Sequence, residues 1–157
     1  MRILGIDPGT GILGFGIIDV GPTNKLSLVD AGVIRTPVKQ ADSERLATIY
    51  DELHQIIEET KPAVMAVEKL FFAQNVTTAM SVAQARGVVL LCGRQHQLEL
   101  HEFTPLQIKQ AVTGYGRADK KQVQEMVRVI LGLTDVPKPD DAADALAAAI
   151  CCTMSVR

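Results

Sequence analysis

Three observations predict an α/β fold built on a five-stranded mixed sheet, its first three strands antiparallel, with helices flanking it. The first third of the chain carries three strand-like runs joined by short turns. The remainder alternates helical periodicity with two short strand-like runs, and strands separated by helices require parallel pairing. The length of 157 residues with 47% apolar content suits one core and not two ordinary domains. Residues 1–157 are therefore expected to form a single domain.

The first three strands are read at Arg2 to Asp7, Gly14 to Val20 and Leu26 to Arg35, with Pro8-Gly9 and Gly21-Pro22 as turn residues between them. From Ser43 to Thr60, Leu46, Ile49, Leu53, Ile56 and Ile57 recur at three- and four-residue spacing opposite charged residues, which predicts an amphipathic helix. Pro62 to Val67 is a continuous apolar run, the pattern of a strand buried on both faces, and it ends at Glu68. Asn75 to about Gln97 reads as a helix with apolar residues on more than one side, and Leu98 to Phe103 as the fifth strand. Thr104-Pro105 has the cap-then-proline form of a helix start and leads to Thr113. Asp119 with Gln122 forms a capping-box pattern for a helix to about Leu131. Pro137 and Pro139 then break the chain, and a last helix runs from Asp140 or Asp141 to about Met154.

No stretch approaches the roughly 20 uninterrupted apolar residues of a membrane helix. The N-terminal Met1-Arg2-Ile3-Leu4-Gly5-Ile6-Asp7 enters a strand without a secretory cleavage site. Cys92, Cys151 and Cys152 are odd in number and embedded in apolar sequence, as reduced core cysteines are. A cytoplasmic protein is expected. The formal net charge of −2 is unlike the strongly basic balance of most nucleic-acid binders. Two divalent cations bound to a carboxylate cluster would add four positive charges and reverse that sign.

Such a cluster is available. Asp7 and Glu68 end two core strands, and Asp141 and Asp144 stand on the first turn of the last helix. Alone, an acid at a strand end is a solvated turn residue, and aspartates opening a helix serve its dipole. Brought together, carboxylates about 4 Å apart repel by roughly 4 kcal/mol per pair at an effective dielectric near 20, which a hard divalent cation relieves. Two such ions ~3.5 to 4 Å apart suit phosphodiester hydrolysis without a side-chain base.

Gly5-Ile6-Asp7-Pro8-Gly9-Thr10, Val67-Glu68-Lys69-Leu70-Phe71-Phe72, Ala83-Gln84-Ala85-Arg86-Gly87 and Asp141-Ala142-Ala143-Asp144-Ala145-Leu146-Ala147 resemble, in order and across nearly the whole chain, the signature segments of the RuvC family of Holliday-junction resolvases. The resemblance implies a ribonuclease-H-like nuclease domain and a metal-dependent endodeoxyribonuclease. Such an enzyme resolves four-way DNA junctions by paired symmetric nicks in recombination and repair. It implies Asp7, Glu68, Asp141 and Asp144 as catalytic ligands of two Mg²⁺ or Mn²⁺ ions, a homodimer, and the RuvA-RuvB branch-migration complex as partner. Helix geometry leaves open which aspartate joins Asp144: at roughly 100° per residue Asp140 lies about 40° and Asp141 about 60° away around the axis. The family pattern selects Asp141 and leaves Asp140 to the helix dipole.

Lys109, Arg117, Lys120 and Lys121 gather around the two late helices; a solvated face is the plain reading and phosphate contact the functional one. Lys109 and Lys120 also match basic positions of the family. Phe71 resembles the family's aromatic that wedges against bases, while Phe72 reads equally as a core anchor. His54, His96 and His101 show no zinc spacing and receive no role.

Three other readings of these residues are possible in principle and fail on the sequence. Gly9, Gly11 and Gly14 spell G-x-G-x-x-G, but a strand follows where a dinucleotide fold needs a helix. Asp7-Pro8-Gly9-Thr10 also resembles the phosphate loop of actin-like and sugar-kinase ATPases, which need two domains around the nucleotide. A junction-binding protein without catalysis would be preferred if one of the four acids were missing, and none is.

Overall fold

The computed structural model describes residues 1–9, 11–69 and 76–156. Strands β1 (Arg2–Asp7), β2 (Ile12–Val20) and β3 (Leu26–Arg35) are followed by α1 (Asp42–Thr60), β4 (Val64–Glu68), α2 (Val76–Gln95) and β5 (Glu99–Phe103). Three helices close the chain: α3 (Pro105–Thr113), α4 (Lys120–Leu131) and α5 (Asp140–Cys152). The sheet order is β3-β2-β1-β4-β5. β1, β2 and β3 pair antiparallel, whereas β4 runs parallel to both β1 and β5. The meander and the parallel half are as the sequence predicts; β2 begins two residues earlier than expected, at Ile12.

Alternation along the strands divides the core between the two faces of the sheet. Leu4, Ile6, Met65 and Val67 pack with Ile49, Leu53, Val89 and Cys92 under α1 and α2. Ile3, Val64 and Ala66 pack on the other face with Val123, Val127 and Leu146 under α3, α4 and α5. Covered on both sides, β4 accordingly reads as an uninterrupted apolar run.

Helix ends follow local chemistry. Thr104 accepts a hydrogen bond from the Gln107 N–H at 3.1 Å, and the Gln107 side chain accepts from the Thr104 N–H at 2.8 Å. Asp119 and Gln122 form the same reciprocal box at 2.8 Å each. Helix α2 ends at Gln95, short of the expected Gln97, where the backbone turns left-handed with φ of 60°. Helix α5 ends at Cys152 and not near Met154.

α5 lies closer to the sheet than ordinary side chains permit. A Cβ on Gly5 would sit 2.0 Å from the Ala145 carbonyl oxygen, one on Gly14 would sit 2.0 Å from that of Asp141, and one on Gly16 would come within 2.6 Å of the Leu146 side chain. Three glycines on neighbouring strands thus leave a lane into which an alanine-rich helix settles, and its first turn is carried to the ends of the central strands. That accounts for Gly14 in the G-x-G-x-x-G pattern: it is where strand and helix backbones meet.

Candidate active site

The pairing of Ile6 with Val67 in adjacent parallel strands places Asp7 and Glu68 side by side where β1 and β4 end. Asp141, the second residue of α5, and Asp144, one turn later, approach from the helix seated on the glycine lane. The four candidate acids of the sequence are therefore brought together.

Their electrostatics confirm the proximity. Burial, the charge of Glu68 and a hydrogen bond with it, and then the charges of Asp144 and Asp141 push the Asp7 carboxyl up to about 9. Burial also raises Glu68, reinforced by Asp144 and opposed by the hydrogen bond to Asp7 and by the nearby Lys109 and Lys120. Burial raises Asp144 as well, against the pull of Lys120. A proton shared between Asp7 and Glu68 would substitute for the positive charge that buried carboxylates require. An all-oxygen donor set of this kind fits a hard divalent cation such as Mg²⁺ or Mn²⁺.

Lys120, the first residue of α4, holds its Nζ 3.5 Å from an oxygen of Asp144 and 3.5 Å from one of Asp140. Burial lowers its basicity, but the charges of Asp144 and Asp140 outweigh that and raise it. Lys120 and Lys109 line a cavity of about 250 Å³ with Glu68, Asp144, Pro105 and Ile108. Both lysines thus stand beside Glu68 and Asp144. Arg117 is exposed on the connection between α3 and α4, and Lys121 lines a separate depression with Thr113, Tyr115 and Gln122. Phe71 and Phe72 lie outside the described residues. Asp140 is exposed at the helix start.

Two features escaped the sequence reading. Arg86 on α2 pairs with Glu102 at 2.7 Å and joins Asp7, Pro8, Glu68 and Lys69 around a hollow of about 180 Å³. Its Nε is buried with no hydrogen-bond partner among the described residues. The signal was a lone arginine on an otherwise apolar and small stretch of helix. The second is that His54 and His96, which show no zinc spacing in the sequence, meet in space beside Glu58.

This fold is that of the ribonuclease-H-like nucleases. Residues 3–152 match the family model described as Crossover junction endodeoxyribonuclease RuvC, and the chain belongs to that family. It is 56% identical to the crossover junction endodeoxyribonuclease RuvC of Heliobacterium modesticaldum, over 99% of this chain and 96% of the relative. It is 57% identical to that of Desulfitobacterium hafniense, over 99% and 94%. Among solved structures, Thermus thermophilus RuvC in complex with Holliday junction substrate superposes with a TM-score of 0.94 at 35% identity, covering 100% of this chain and 95% of that one. The yeast mitochondrial Holliday junction resolvase Ydc2 has a TM-score of 0.67 at 14% identity, over 95% of this chain and 77% of the other, and shares the fold alone. RuvC family nucleases use divalent metal. Among the described residues no helix is long and apolar enough to cross a membrane.

Proposed function

We propose that this chain is a structure-selective endodeoxyribonuclease that resolves four-way DNA junctions by paired symmetric nicks, leaving ligatable ends, in recombination and repair. The observation that carries the reading is the placing of Asp7 beside Glu68 at the ends of adjacent parallel strands, next to a cavity that Glu68 and Asp144 line together with Lys109 and Lys120. In this reading the single domain 1–157 contains the whole reaction centre. Asp7, Glu68, Asp141 and Asp144 hold two Mg²⁺ or Mn²⁺ ions, which when bound supply water activation and charge stabilisation for hydrolysis.

The chain's own residues do the positioning. Lys109 and Lys120 receive the phosphates flanking the scissile bond, while Arg117 and Lys121 extend the cationic surface along the duplex arm. Phe71 stacks on an unpaired base at the crossover, an interaction worth roughly 1 to 3 kcal/mol. Two active sites related by a two-fold axis cut two strands symmetrically, which requires a homodimer. The outward side of α2, where Met80 and Leu91 are 62% and 53% exposed and Ala83 and Gly87 add no bulk, supports that helix as the interface. The reading also includes the RuvA-RuvB branch-migration complex as partner and a cytoplasmic location.

The test is incubation of purified protein with labelled four-way junction and with linear duplex, with and without Mg²⁺ or Mn²⁺. Paired nicks confined to the junction and to metal-containing reactions are expected. Asp7→Asn and Glu68→Gln should abolish cutting and leave junction binding, because most phosphate contacts persist. Equal loss of binding and cutting would overturn the assignment.

A further inference from the structure

We propose that His54, Glu58 and His96 form a second metal site, for a single borderline divalent cation of the zinc class, distinct from the four acids. It lies at the opposite end of the molecule from them. Helix α1 delivers the chain through Lys61 to the start of β4, and the Arg2 side chain at the start of β1 reaches the Thr60 carbonyl at 2.6 Å. Asp7 and Glu68 stand at the other ends of those same two strands.

The geometry is that of a partly assembled coordination shell. His54 and Glu58 are four residues apart on α1 and so share one face of the helix. His96 follows the last turn of α2, and its Nδ1 lies 2.8 Å from the Cys92 carbonyl oxygen. Donating Nδ1–H to that oxygen leaves the Nε2 lone pair free, and such a backbone hydrogen bond orients a metal-binding imidazole. Nε2 is indeed turned toward the cluster, 3.3 Å from Glu58 Oε1. The other oxygen of Glu58 accepts from Lys61 at 2.8 Å, so each carboxylate oxygen has a separate task.

The rings of His54 and His96 lie 4.8 Å apart, tilted by 51°, with the Tyr50 ring stacked behind His54. The Tyr50 hydroxyl donates to Gln95, tying α1 to α2 on the same side. One ligand atom from each of the three residues lies within 4.8 Å of the others. Tetrahedral zinc needs about 3.4 Å between ligand atoms, given bonds of about 2.0 to 2.1 Å. His54 and Glu58 are exposed and free to close that difference by rotation, whereas His96 is 12% exposed and already fixed. Two imidazoles and one carboxylate select zinc, cobalt, nickel or copper over magnesium, whose preference is for oxygen alone. With water completing the shell, the ion clamps the C-terminal ends of α1 and α2.

The test uses the full chain stripped of metal and titrated with Co²⁺ in excess Mg²⁺, which keeps the acid cluster supplied with its own ion. One equivalent per chain, giving the visible absorption of low-symmetry nitrogen and oxygen coordination and displaced by Zn²⁺, is expected. His54→Gln and His96→Gln should each weaken binding at least tenfold. Asp7→Asn should leave the spectrum and stoichiometry intact. Circular dichroism of each variant without metal checks folding; should His96→Gln fail to fold, the exposed Glu58→Gln provides the same comparison. Zn²⁺ should also raise the melting temperature of Asp7→Asn and not of its double variant with His54→Gln. Unchanged Co²⁺ binding in both histidine variants, or its loss in Asp7→Asn alone, would overturn the proposal and leave the nuclease reading untouched.

Discussion

The Lys120 ammonium stands 3.5 Å from an oxygen of Asp144, so a cation beside the acid cluster is carried by the helix that precedes the one carrying the acid. Lys120 favours the ionised form of Asp144 against the burial that raises its carboxyl, and in the proposed function the same side chain receives a substrate phosphate. A metal ion held by Asp144 would supply the positive charge that Lys120 now provides and would leave that lysine available to the cavity it lines with Lys109.

Lys120→Met should therefore weaken junction binding to a similar degree for all sequences and reduce the slope of log affinity against log salt by about one, the signature of one lost phosphate contact. Filter binding across a salt series checks this. An unchanged slope would return Lys120 to a purely structural partner of Asp140 and Asp144.

Asp141 and Asp140 are adjacent but differently placed. Asp141 contributes to the field at Asp7 and lies at the contact with Gly14, whereas Asp140 is exposed and paired with Lys120. Asp141→Asn is expected to reduce cleavage by orders of magnitude. Asp140→Asn should cost at most about 1 kcal/mol through the helix dipole and leave most activity. Single-turnover rates on a labelled junction rank the two, and the reverse ranking would place Asp140 on the metal.

The raised carboxyls of Asp7, Glu68 and Asp144 make the metal-free fold sensitive to pH. Asp7 moves from an ordinary 3.8 to about 9. Between those values the folded protein holds a proton that the unfolded chain releases, so stability falls as pH rises through that window. Metal-free protein should melt at a lower temperature at pH 8 than at pH 5.5, and Mg²⁺ should remove most of the difference. Asp7→Asn should raise metal-free stability at pH 8 by on the order of 1 to 3 kcal/mol, while abolishing cleavage. A melting temperature that rises with pH in the absence of metal would contradict the proton-sharing pair.

The glycine lane under α5 has little tolerance. Gly5→Ala places a methyl group 2.0 Å from the Ala145 carbonyl oxygen and 2.8 Å from the Ala149 nitrogen, both of them backbone. Helix and sheet must separate, at a cost of 1 to 3 kcal/mol or more for overpacking. Because α5 carries Asp141 and Asp144, residual activity should fall further than the folded fraction. Urea melts paired with rates per folded molecule make the comparison. Gly87→Ala, with nothing within 4 Å of its added Cβ, is the control and should not destabilise the monomer, helix propensity favouring it by up to about 1 kcal/mol.

Leu91→Asp on the exposed side of α2 should leave the monomer's melting temperature within about 0.5 kcal/mol equivalent. It should reduce the proposed dimer to a single 17.0 kDa chain. Sedimentation equilibrium at micromolar concentration distinguishes the species. A wild-type mass already at one chain would remove the dimer from the proposed function.

Most of the fold could be read from the chain because its signals are local. Strand alternation, the amphipathic stripe of α1 and the Thr104 and Asp119 capping boxes depend on residues within a few positions of one another, and each appears where its pattern lies. The continuous apolar run of β4 predicted burial on both faces for the same reason. Acids at the ends of two strands and on the first turn of the last helix were legible as candidates too, although helix geometry alone left Asp140 and Asp141 open and the family resemblance selected Asp141.

Only the tertiary structure decided what depends on distances between segments remote in sequence. Strand order set Asp7 beside Glu68, and the lane of Gly5, Gly14 and Gly16 set how deeply α5 sinks and hence where its aspartates point. Lys120, Arg86 and the meeting of His54 with His96 were decided in the same way, through packing of helices on both faces of the sheet. Sequence by itself determined which side chains could carry charge, turn the chain or fill a core. Which of them share a proton, a cation or a cavity was decided by long-range packing, because electrostatic interactions act over a few ångströms of space regardless of separation along the chain.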